Sequence, residues 1–269
     1  MIRKIFLFLL NNSNTRLSCK IINFFYTFRK TKFFFDEKKN LLFAKENKNI
    51  RYFSDKMRGF YLYRNGISFR GVEIAKSYFI DKINFNINDV VIDIGANYGD
   101  LSIFLDQLNF PLICHNFEPE KNAFKALNLN NPNSINNNLA VAEKSENKDF
   151  YLNTISADSS IIPISKFDKK IKVKSISLDE YISKKNLTNI KLLKLEAEGY
   201  EPEILLGLKK NIDKINYIAV DGGAERGVNK DTTIDFIDDY LKKNYFNLLY
   251  IDNLNNKNIR ALYKNLKID

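Results

Sequence analysis

The chain has 269 residues, of which 45% are hydrophobic and 28% are charged, an ordinary globular composition. Two cysteines, Cys19 and Cys114, are too few for a disulfide-built scaffold, and one histidine leaves little room for a His-based metal site or a Ser-His-Asp relay. The net charge of +10 lies in residues 1–60, which hold 14 Lys and Arg against 4 Asp and Glu, so the rest of the chain is neutral.

Residues 1–58 contain no Gly or Pro and are rich in Phe, Tyr, Lys and Arg, which predicts a basic, aromatic, helical extension. Such an extension either packs on the main domain or lies on an anionic membrane surface. The apolar run at residues 5–10 is too short to span a bilayer, and no small-residue cleavage site follows it. We therefore expect a cytoplasmic protein, with residues 1–58 as a candidate for peripheral contact with the inner membrane face.

Residues 59–269 are predicted to form the main domain. Residues 59–89 indicate a hairpin, FYLYRNGISF, and a helix that lead into it. From Val90, short apolar runs alternate with helical segments, and residues 135–142 are the third of these runs. This alternation favours a parallel sheet covered by helices on both faces. The runs FNLLYID and NIRALYKNL predict a terminal hairpin, and residues 147–177 interrupt the alternation as an insertion.

A glycine turn follows the first strand of this alternation, in VVIDIGANYGDLSIF. Gly95 and Gly99 allow tight turning and close approach of a ligand, and the helix after them offers free backbone N–H groups. Asp93 would present an acceptor there, which suits a cationic or hydroxyl-bearing ligand. The spacing differs from G-x-G-x-x-G, so a nicotinamide dinucleotide fits less well.

An acidic residue ends the second strand, in HNFEPE. Glu118 lies 23 residues after Gly95, close to the spacing at which a carboxylate binds a ribose diol. The alternative is a surface acid that caps the following helix. Together with the glycine turn, the spacing favours ribose binding.

These elements, with SLDEY, KLLKLEAEGYEPEILLGL and YIAVDGGAERG, resemble the FkbM family of S-adenosylmethionine-dependent methyltransferases over residues 60–265. The resemblance implies a Rossmann-like class I methyltransferase fold, an α/β fold whose seven-stranded, mostly parallel sheet ends in an antiparallel hairpin. It implies S-adenosylmethionine as the cofactor. The cofactor-binding residues it implies are Asp93, Gly95, Asn97, Gly99, Glu118, Pro119, Asn138 and Ala140.

Carboxylates at the ends of the fourth and fifth strands are candidates for a general base. Glu196 and Glu198 follow the fourth strand, and Asp221 ends the fifth. A carboxylate there could take the proton of an attacking hydroxyl, although its pKa would need to be raised by burial. Our order of preference is Glu198, Asp221, Glu196. Many members of the family have Asp at the position of Glu196.

The predicted function is O-methylation of a hydroxyl on a sugar or cell-surface glycan precursor. One alternative is a nucleotide- or NAD-dependent sugar-modifying oxidoreductase, for which a Tyr181-x-x-x-Lys185 pair exists but precedes a strand. Another is a non-catalytic binding protein on the same scaffold. We expect no nucleic-acid partner and no metal site, interpret His115 as a core residue, and leave the oligomeric state open.

Overall fold

The computed structural model describes residues 10, 13–153, 159–254 and 258–268. The prediction that no export signal is present rests on residues 1–10, of which all but Leu10 lie outside the described residues. Residues 154–158 of the predicted insertion lie outside them too. Among the helices within these ranges, none is both long and apolar enough to cross a bilayer.

The chain begins with a small N-terminal unit and two helices that follow it. In chain order these elements are α1 (Thr15–Phe25), β1 (Lys32–Asp36), β2 (Leu41–Glu46), β3 (Asn49–Phe53), α2 (Lys56–Tyr63) and α3 (Ile67–Ser77). Strands β1, β2 and β3 form an antiparallel sheet in that order.

The alternating strands and helices begin at Val90. Its elements in chain order are β4 (Val90–Ile94), α4 (Asp100–Leu105), β5 (Ile113–Phe117), α5 (Lys121–Asn130), β6 (Ile135–Asn137), β7 (Ala140–Val141), β8 (Asn147–Leu152), β9 (Lys169–Ile176), α6 (Leu178–Lys184), β10 (Ile190–Leu195), α7 (Glu201–Leu206), β11 (Ile215–Asp221), α8 (Ile234–Lys243), β12 (Phe246–Leu254) and β13 (Asn258–Asn265). Single 3₁₀ turns lie at Ile80–Lys82, Asp106–Leu108 and Ile212–Lys214.

Seven strands form one sheet in the order β12-β13-β11-β10-β4-β5-β6. The pairs from β11 to β6 are parallel, whereas β13 is antiparallel to both β11 and β12. The fold is therefore a Rossmann-like class I methyltransferase fold, and the prediction of a mostly parallel sheet closed by an antiparallel hairpin is confirmed.

Helices cover both faces of this sheet, and alternate residues of each strand face opposite sides. Ile92 and Leu193 belong to the core on the side of α6, α7 and α8. Val91 and Leu192 belong to the core beneath α3 and α4. Two residues further along each strand, Asp93 and Lys194 therefore point toward α3, where two charged groups meet in the interior.

The predicted helical character of residues 1–58 is wrong for residues 32–53, which form β1, β2 and β3. The absence of Gly and Pro suggested a helix, but Asn40 and Asn47 adopt positive φ values of 48° and 54° at the two turns. Asparagine tolerates this left-handed conformation and so replaces glycine in hairpin turns. Among the described residues of this stretch, α1 and the start of α2 at Lys56 are helical, as predicted.

The N-terminal unit packs on the main domain, the first of the two predicted arrangements. Phe33, Phe53 and Phe60 share a buried cluster with Ala123 and Ala126 of α5. The side chain of Asn130, at the end of α5, forms two hydrogen bonds with the backbone of β3, as a neighbouring strand would. Its Oδ1 accepts from Tyr52 N at 2.7 Å, and its Nδ2 donates to Tyr52 O at 2.9 Å.

The predicted hairpin in residues 59–89 is wrong, because this stretch forms the end of α2 and all of α3. The Asp55 carboxylate caps α2 by accepting from Arg58 N at 2.7 Å. Glu46 of β2 caps α3 by accepting from Ile67 N and Ser68 N at 2.8 and 3.1 Å. The helix start thus depends on a residue 21 positions earlier, which a local pattern could not reveal. The proposed boundary at residue 59 stays a prediction.

The predicted third strand, residues 135–142, is divided. Its first part, β6, joins the main sheet beside β5, whereas β7 leaves it and pairs with β9. Strands β7, β9 and β8 form a separate three-stranded sheet in that order, built mainly from the predicted insertion.

Candidate active site

A cavity lies at the carboxyl ends of β4, β5 and β10. Parallel strands bring these ends to one edge of the sheet, where open α/β sheets bind their ligands. Six of the eight predicted cofactor residues line the cavity: Asp93, Gly95, Asn97, Glu118, Pro119 and Ala140. The structure therefore brings together residues that lie up to 47 positions apart in the sequence.

Gly95 lies where β4 meets the segment after β10. Its φ is +71°, and a Cβ at this position would stand 1.9 Å from the backbone oxygen of Glu196. The close approach of these two backbone segments therefore excludes any residue larger than glycine at position 95. Removing the side chain also leaves the backbone of the turn open toward the cavity.

Two backbone N–H groups hold the carboxylate of Glu118 at the cavity. Its Oε2 accepts from Asn97 N at 3.0 Å, and its Oε1 accepts from Glu120 N at 2.8 Å. Burial of the side chain raises the pKa of Glu118 to about 7, although these two N–H donors oppose the shift. The sequence-based alternative, a surface acid that caps the next helix, applies to Glu120, which accepts from Asn122 N and Ala123 N.

Gly99 and Asn138 lie behind the cavity wall and not in it. Gly99, with a φ of 82°, precedes α4, and a Cβ there would meet the side chain of Asn131. The Nδ2 of Asn138 donates to the backbone oxygens of Glu118 and Pro119 at 2.9 and 3.0 Å. Asn138 thus fixes the turn that carries Glu118.

The donors and acceptors present fit a ribose-bearing cofactor with a positive centre. Each carboxylate oxygen of Glu118 has a second lone pair with which it can accept from a hydroxyl. Asn97 Oδ1 is buried and has no hydrogen-bond partner in the structure, so a ligand hydroxyl or amine would satisfy it. S-adenosylmethionine supplies such hydroxyls, an amine and the electrophilic methyl group that is transferred.

A buried lysine stands between two of the predicted acidic residues, and the sequence analysis missed it. Lys194 is 1% exposed, and its Nζ lies 3.0 Å from Asp93 Oδ1 and 2.8 Å from Glu196 Oε2. The signal was a lysine inside the apolar run KLLKLEA, where a strand buried on both faces offers no path to solvent. A buried lysine needs a carboxylate partner, and Asp93 was already a candidate site residue in the sequence.

This arrangement decides the charge of Glu196. Burial favours its neutral form, but Lys194 and Arg260 outweigh that effect and lower the pKa of Glu196 to about 2. A carboxylate so stabilised is a weak base. Glu196 lines the cavity, and its chemistry there is that of a fixed negative charge.

Asp221, the second base candidate, is held in structural hydrogen bonds. It is 2% exposed; its Oδ1 accepts from Gly223 N and its Oδ2 from Arg260 Nε, both at 3.0 Å. Asp221 is not among the residues that line the cavity, and neither is Arg260. The guanidinium of Arg260 also lies over the ring of Tyr78, 4.5 Å from its centre. This arrangement joins β11, β13 and α3.

Glu198, the first base candidate, lines the cavity and is half-buried. Its backbone has a positive φ of 52°, and its carbonyl accepts from Ser160 Oγ of the insertion at 3.0 Å. Left-handed conformations of non-glycine residues cost free energy and concentrate at functional sites. Of the three candidates, Glu196 and Glu198 line the cavity and Asp221 does not.

Two further parts of the chain form the outer wall of the cavity. The N-terminal unit and α2 contribute Ser54, Asp55 and Arg58. The insertion contributes apolar and polar residues: Phe150, Leu152, Asn153, Ser159 and Ile161. Sequence reasoning gave these segments no motif, because an acceptor pocket has no fixed spacing to search for.

Tyr181 and His115 are structural and lie away from the cavity lining. Tyr181 is 2% exposed, and its hydroxyl pairs with His115 Nδ1 at 2.8 Å. Burial lowers the pKa of His115 to about 4, so this histidine is neutral in the core, as predicted. The Tyr181-x-x-x-Lys185 pair therefore gives no support to an oxidoreductase. Within the ranges that the structure describes, no group of three or more His, Cys, Asp or Glu is placed to hold a metal ion.

Solved structures with a similar fold are distant in sequence. TrmK of M. capricolum, in complex with S-adenosyl-homocysteine, has 15% identity and a TM-score of 0.39 over 74% of this chain and 68% of that one. A putative rRNA-methylase from Clostridium thermocellum has 13% identity and a TM-score of 0.44, over 71% of this chain and 94% of that one. A TehB-like SAM-dependent methyltransferase from Corynebacterium glutamicum has 12% identity and a TM-score of 0.41, over 73% and 94%. No curated protein matches the sequence.

A family model matches the sequence of this chain directly. The model of the methyltransferase FkbM domain matches residues 93–248, which is more than half of the chain. The match begins at Asp93, includes the glycine turn and Glu118, and continues through Lys194 to β12. The chain belongs to the FkbM family of S-adenosylmethionine-dependent methyltransferases.

Proposed function

We propose that this enzyme transfers the methyl group of S-adenosylmethionine to a hydroxyl of a sugar or of a cell-surface glycan precursor. The observation that carries the proposal is the composition of the outer cavity wall. Ser54, Asp55, Arg58, Asn153 and Ser159 place hydroxyl, amide and charged groups around the cavity. Such groups suit an acceptor that carries many hydroxyls, since each can pair with a side chain.

Apolar residues of the insertion lie beside these polar ones. Phe150, Leu152 and Ile161 line the same wall. Their apolar surface can pack on the C–H face of a sugar ring while the hydroxyls meet the polar groups. A wall of this mixed character is typical of small-molecule sites, in which apolar contacts bind and polar groups orient.

In this proposal Glu198 is the base that accepts the proton of the attacking hydroxyl. A hydroxyl is a poor nucleophile until its proton is accepted, and the base must lie within hydrogen-bond reach of it. Glu196, held by Lys194, supplies a fixed negative charge beside the positive centre of the cofactor. The cytoplasm is the proposed compartment, and Cys19 and Cys114 are both free thiols, in keeping with it.

The test is methyl transfer from labelled S-adenosylmethionine to a panel of nucleotide sugars, lipid-linked glycans, RNA and protein. Label in a glycan, released as an O-methyl sugar on hydrolysis, is the expected result. Label only in RNA or protein, or on nitrogen, would contradict the proposed acceptor. Stabilisation of the protein by NAD and not by S-adenosylhomocysteine would favour the oxidoreductase instead.

A second experiment tests the base. Glu198→Gln should lower kcat by about 10²–10⁴-fold, the usual contribution of general base catalysis, with an unchanged affinity for S-adenosylhomocysteine. Glu143→Gln, at an exposed position after β7, is the matched control and should retain full activity. A fully active Glu198→Gln variant would show that orientation alone suffices.

A further inference from the structure

Helix α1 presents apolar side chains to solvent on the face opposite its core. Its buried residues are Ser18, Cys19 and Ile22. Leu17 and Phe24 lie two helical turns apart on the other face and are 48% and 77% exposed. A surface helix ordinarily carries polar residues on this side. Leu17 and Phe24 therefore give α1 an apolar outer side, which packing against the part of the chain that the structure describes does not explain.

The apolar line continues beyond the helix. Phe28 is fully exposed, and Phe25 is 43% exposed. We call Leu17, Phe24, Phe25 and Phe28 the outer apolar face. Its members are aliphatic as well as aromatic. Leu17, Phe24 and Phe25 belong to α1, and Phe28 lies three residues beyond its end.

Basic side chains lie around this face, and one of them, Arg16, forms an ion pair with Glu37. Residues 13–35 contain five basic residues and no Asp or Glu: Arg16, Lys20, Arg29, Lys30 and Lys32. Lys20 lies one turn from both Leu17 and Phe24, on the exposed side, and Lys30 follows Phe28 closely. A helix with apolar residues edged by Lys and Arg is the pattern of segments that lie in the interface of an anionic bilayer.

The outer apolar face is joined to the active site through α2. Arg29 Nη1 donates to Arg64 O, just after the end of α2, at 3.0 Å. The other end of α2 is capped by Asp55, which lines the cavity. With eight residues at 1.5 Å each, α2 is about 12 Å long. Tyr61, 63% exposed, adds a further aromatic ring, and the guanidinium of Arg64 lies over it.

We propose that the outer apolar face and its basic edge bind the surface of an anionic phospholipid membrane. The charges attract the protein to the anionic headgroups, and the Phe and Leu side chains enter the boundary between headgroups and acyl chains. An RNA partner would use the same charges and could stack bases on the Phe rings, but it gives no role to the aliphatic side chain of Leu17. Membrane binding needs neither cofactor nor acceptor, so its failure would leave the proposed function untouched.

The test is sedimentation of the full-length protein with vesicles of phosphatidylcholine, alone or mixed with phosphatidylglycerol. Binding to the mixed vesicles, weakened by salt, is expected. Lys20→Gln/Lys30→Gln should weaken it about fivefold for each lost charge. Phe24→Ser/Phe28→Ser should weaken it at least about tenfold, because two large apolar side chains no longer leave water. Thermal unfolding should be unchanged, since all four side chains are exposed.

A matched control removes exposed apolar side chains elsewhere. Phe236 and Leu266 are 41% and 66% exposed, and Phe236→Ser/Leu266→Ser should bind vesicles like the natural protein. Equal binding by Phe24→Ser/Phe28→Ser would overturn the proposal. So would equal binding to both kinds of vesicle. Displacement from vesicles by an RNA oligonucleotide, with RNA binding unaffected by Phe24→Ser/Phe28→Ser, would overturn it in favour of a polyanion site.

Discussion

Lys194 and Asp93 are direct partners on adjacent parallel strands, and the ammonium of one lies 3.0 Å from the carboxylate of the other. Both side chains are buried beneath α3. Burial opposes the charge on each, yet the carboxylates of Asp93 and Glu196 raise the pKa of Lys194 above its usual value. Burial raises the pKa of Asp93, and the charge of Lys194 opposes that rise. The pair connects the turn at Gly95 with the segment that carries Glu196 and Glu198.

Removal of one member of this pair should destabilise the fold. Lys194→Met keeps much of the side-chain volume but leaves Asp93 without its partner, so we expect a loss of about 3–5 kcal/mol in the free energy of unfolding in urea. Adding Asp93→Asn should recover part of the loss. Lys242→Met, which breaks a more exposed pair with Asp238, is the control and should cost under about 0.5 kcal/mol. Equal stability of the two lysine variants would contradict this role.

Gly95→Ala tests the close approach of two backbone segments, at Gly95 and Glu196, beside the cavity. Its Cβ would stand 1.9 Å from Glu196 O, whereas a Cβ at Gly227 meets nothing closer than 3.5 Å. Both glycines have positive φ, so both variants carry the conformational cost of about 1–2 kcal/mol. Overpacking should cost Gly95→Ala about 1–3 kcal/mol more, and weaken S-adenosylhomocysteine binding in calorimetry. A Gly95→Ala protein as stable as Gly227→Ala would refute the argument.

Cofactor binding should be coupled to proton release near neutral pH. The pKa of Glu118 is raised to about 7 by burial, and hydroxyl donors from a ribose would stabilise its charged form and lower that pKa. The affinity for S-adenosylhomocysteine should therefore rise as pH rises from 6 to 8. Calorimetry in buffers of different ionisation enthalpy would measure the released proton. Glu118→Gln should bind at least about tenfold more weakly and without this pH dependence. A pH-independent natural protein would exclude the coupling.

The free protein should lose stability as pH rises above about 5. Burial raises the pKa of Glu201 to about 7 and of Glu225 to about 9, above the 4.5 expected in an unfolded chain. The folded state then binds protons that the unfolded state has released, so their contribution is complete below pH 4.5 and is lost as pH rises through 7 and 9. Urea midpoints at pH 6 and pH 9 would show it, and Glu225→Gln should reduce the difference. A midpoint that is higher at pH 9 would contradict the assignment.

The sequence predicted the sheet because its strands carry their signal locally. An apolar run that ends at a glycine, as in VVIDIG, specifies both a buried strand and the turn after it. Glu118 could be assigned because parallel strands end at one edge. Two predictions were wrong for reasons that the local pattern does not show. Strands β1 to β3 turn at Asn40 and Asn47 instead of at glycines, and α3 begins where the distant Glu46 caps it. The roles of Asp221 and Glu196 likewise came from Arg260 and Lys194, which the spacing of acidic residues does not reveal.

The division of the cavity between core and appended segments has a consequence for how such an enzyme can change. Glu118, Gly95 and Lys194 belong to the central sheet, whereas Ser54, Arg58 and Asn153 come from two segments outside it. Asn130 joins the N-terminal segment to α5 through backbone groups of Tyr52, which any residue type would supply. The segments outside the sheet can therefore change in sequence while the methyl-donor site stays the same. Acceptor choice and donor binding can diverge separately within one fold.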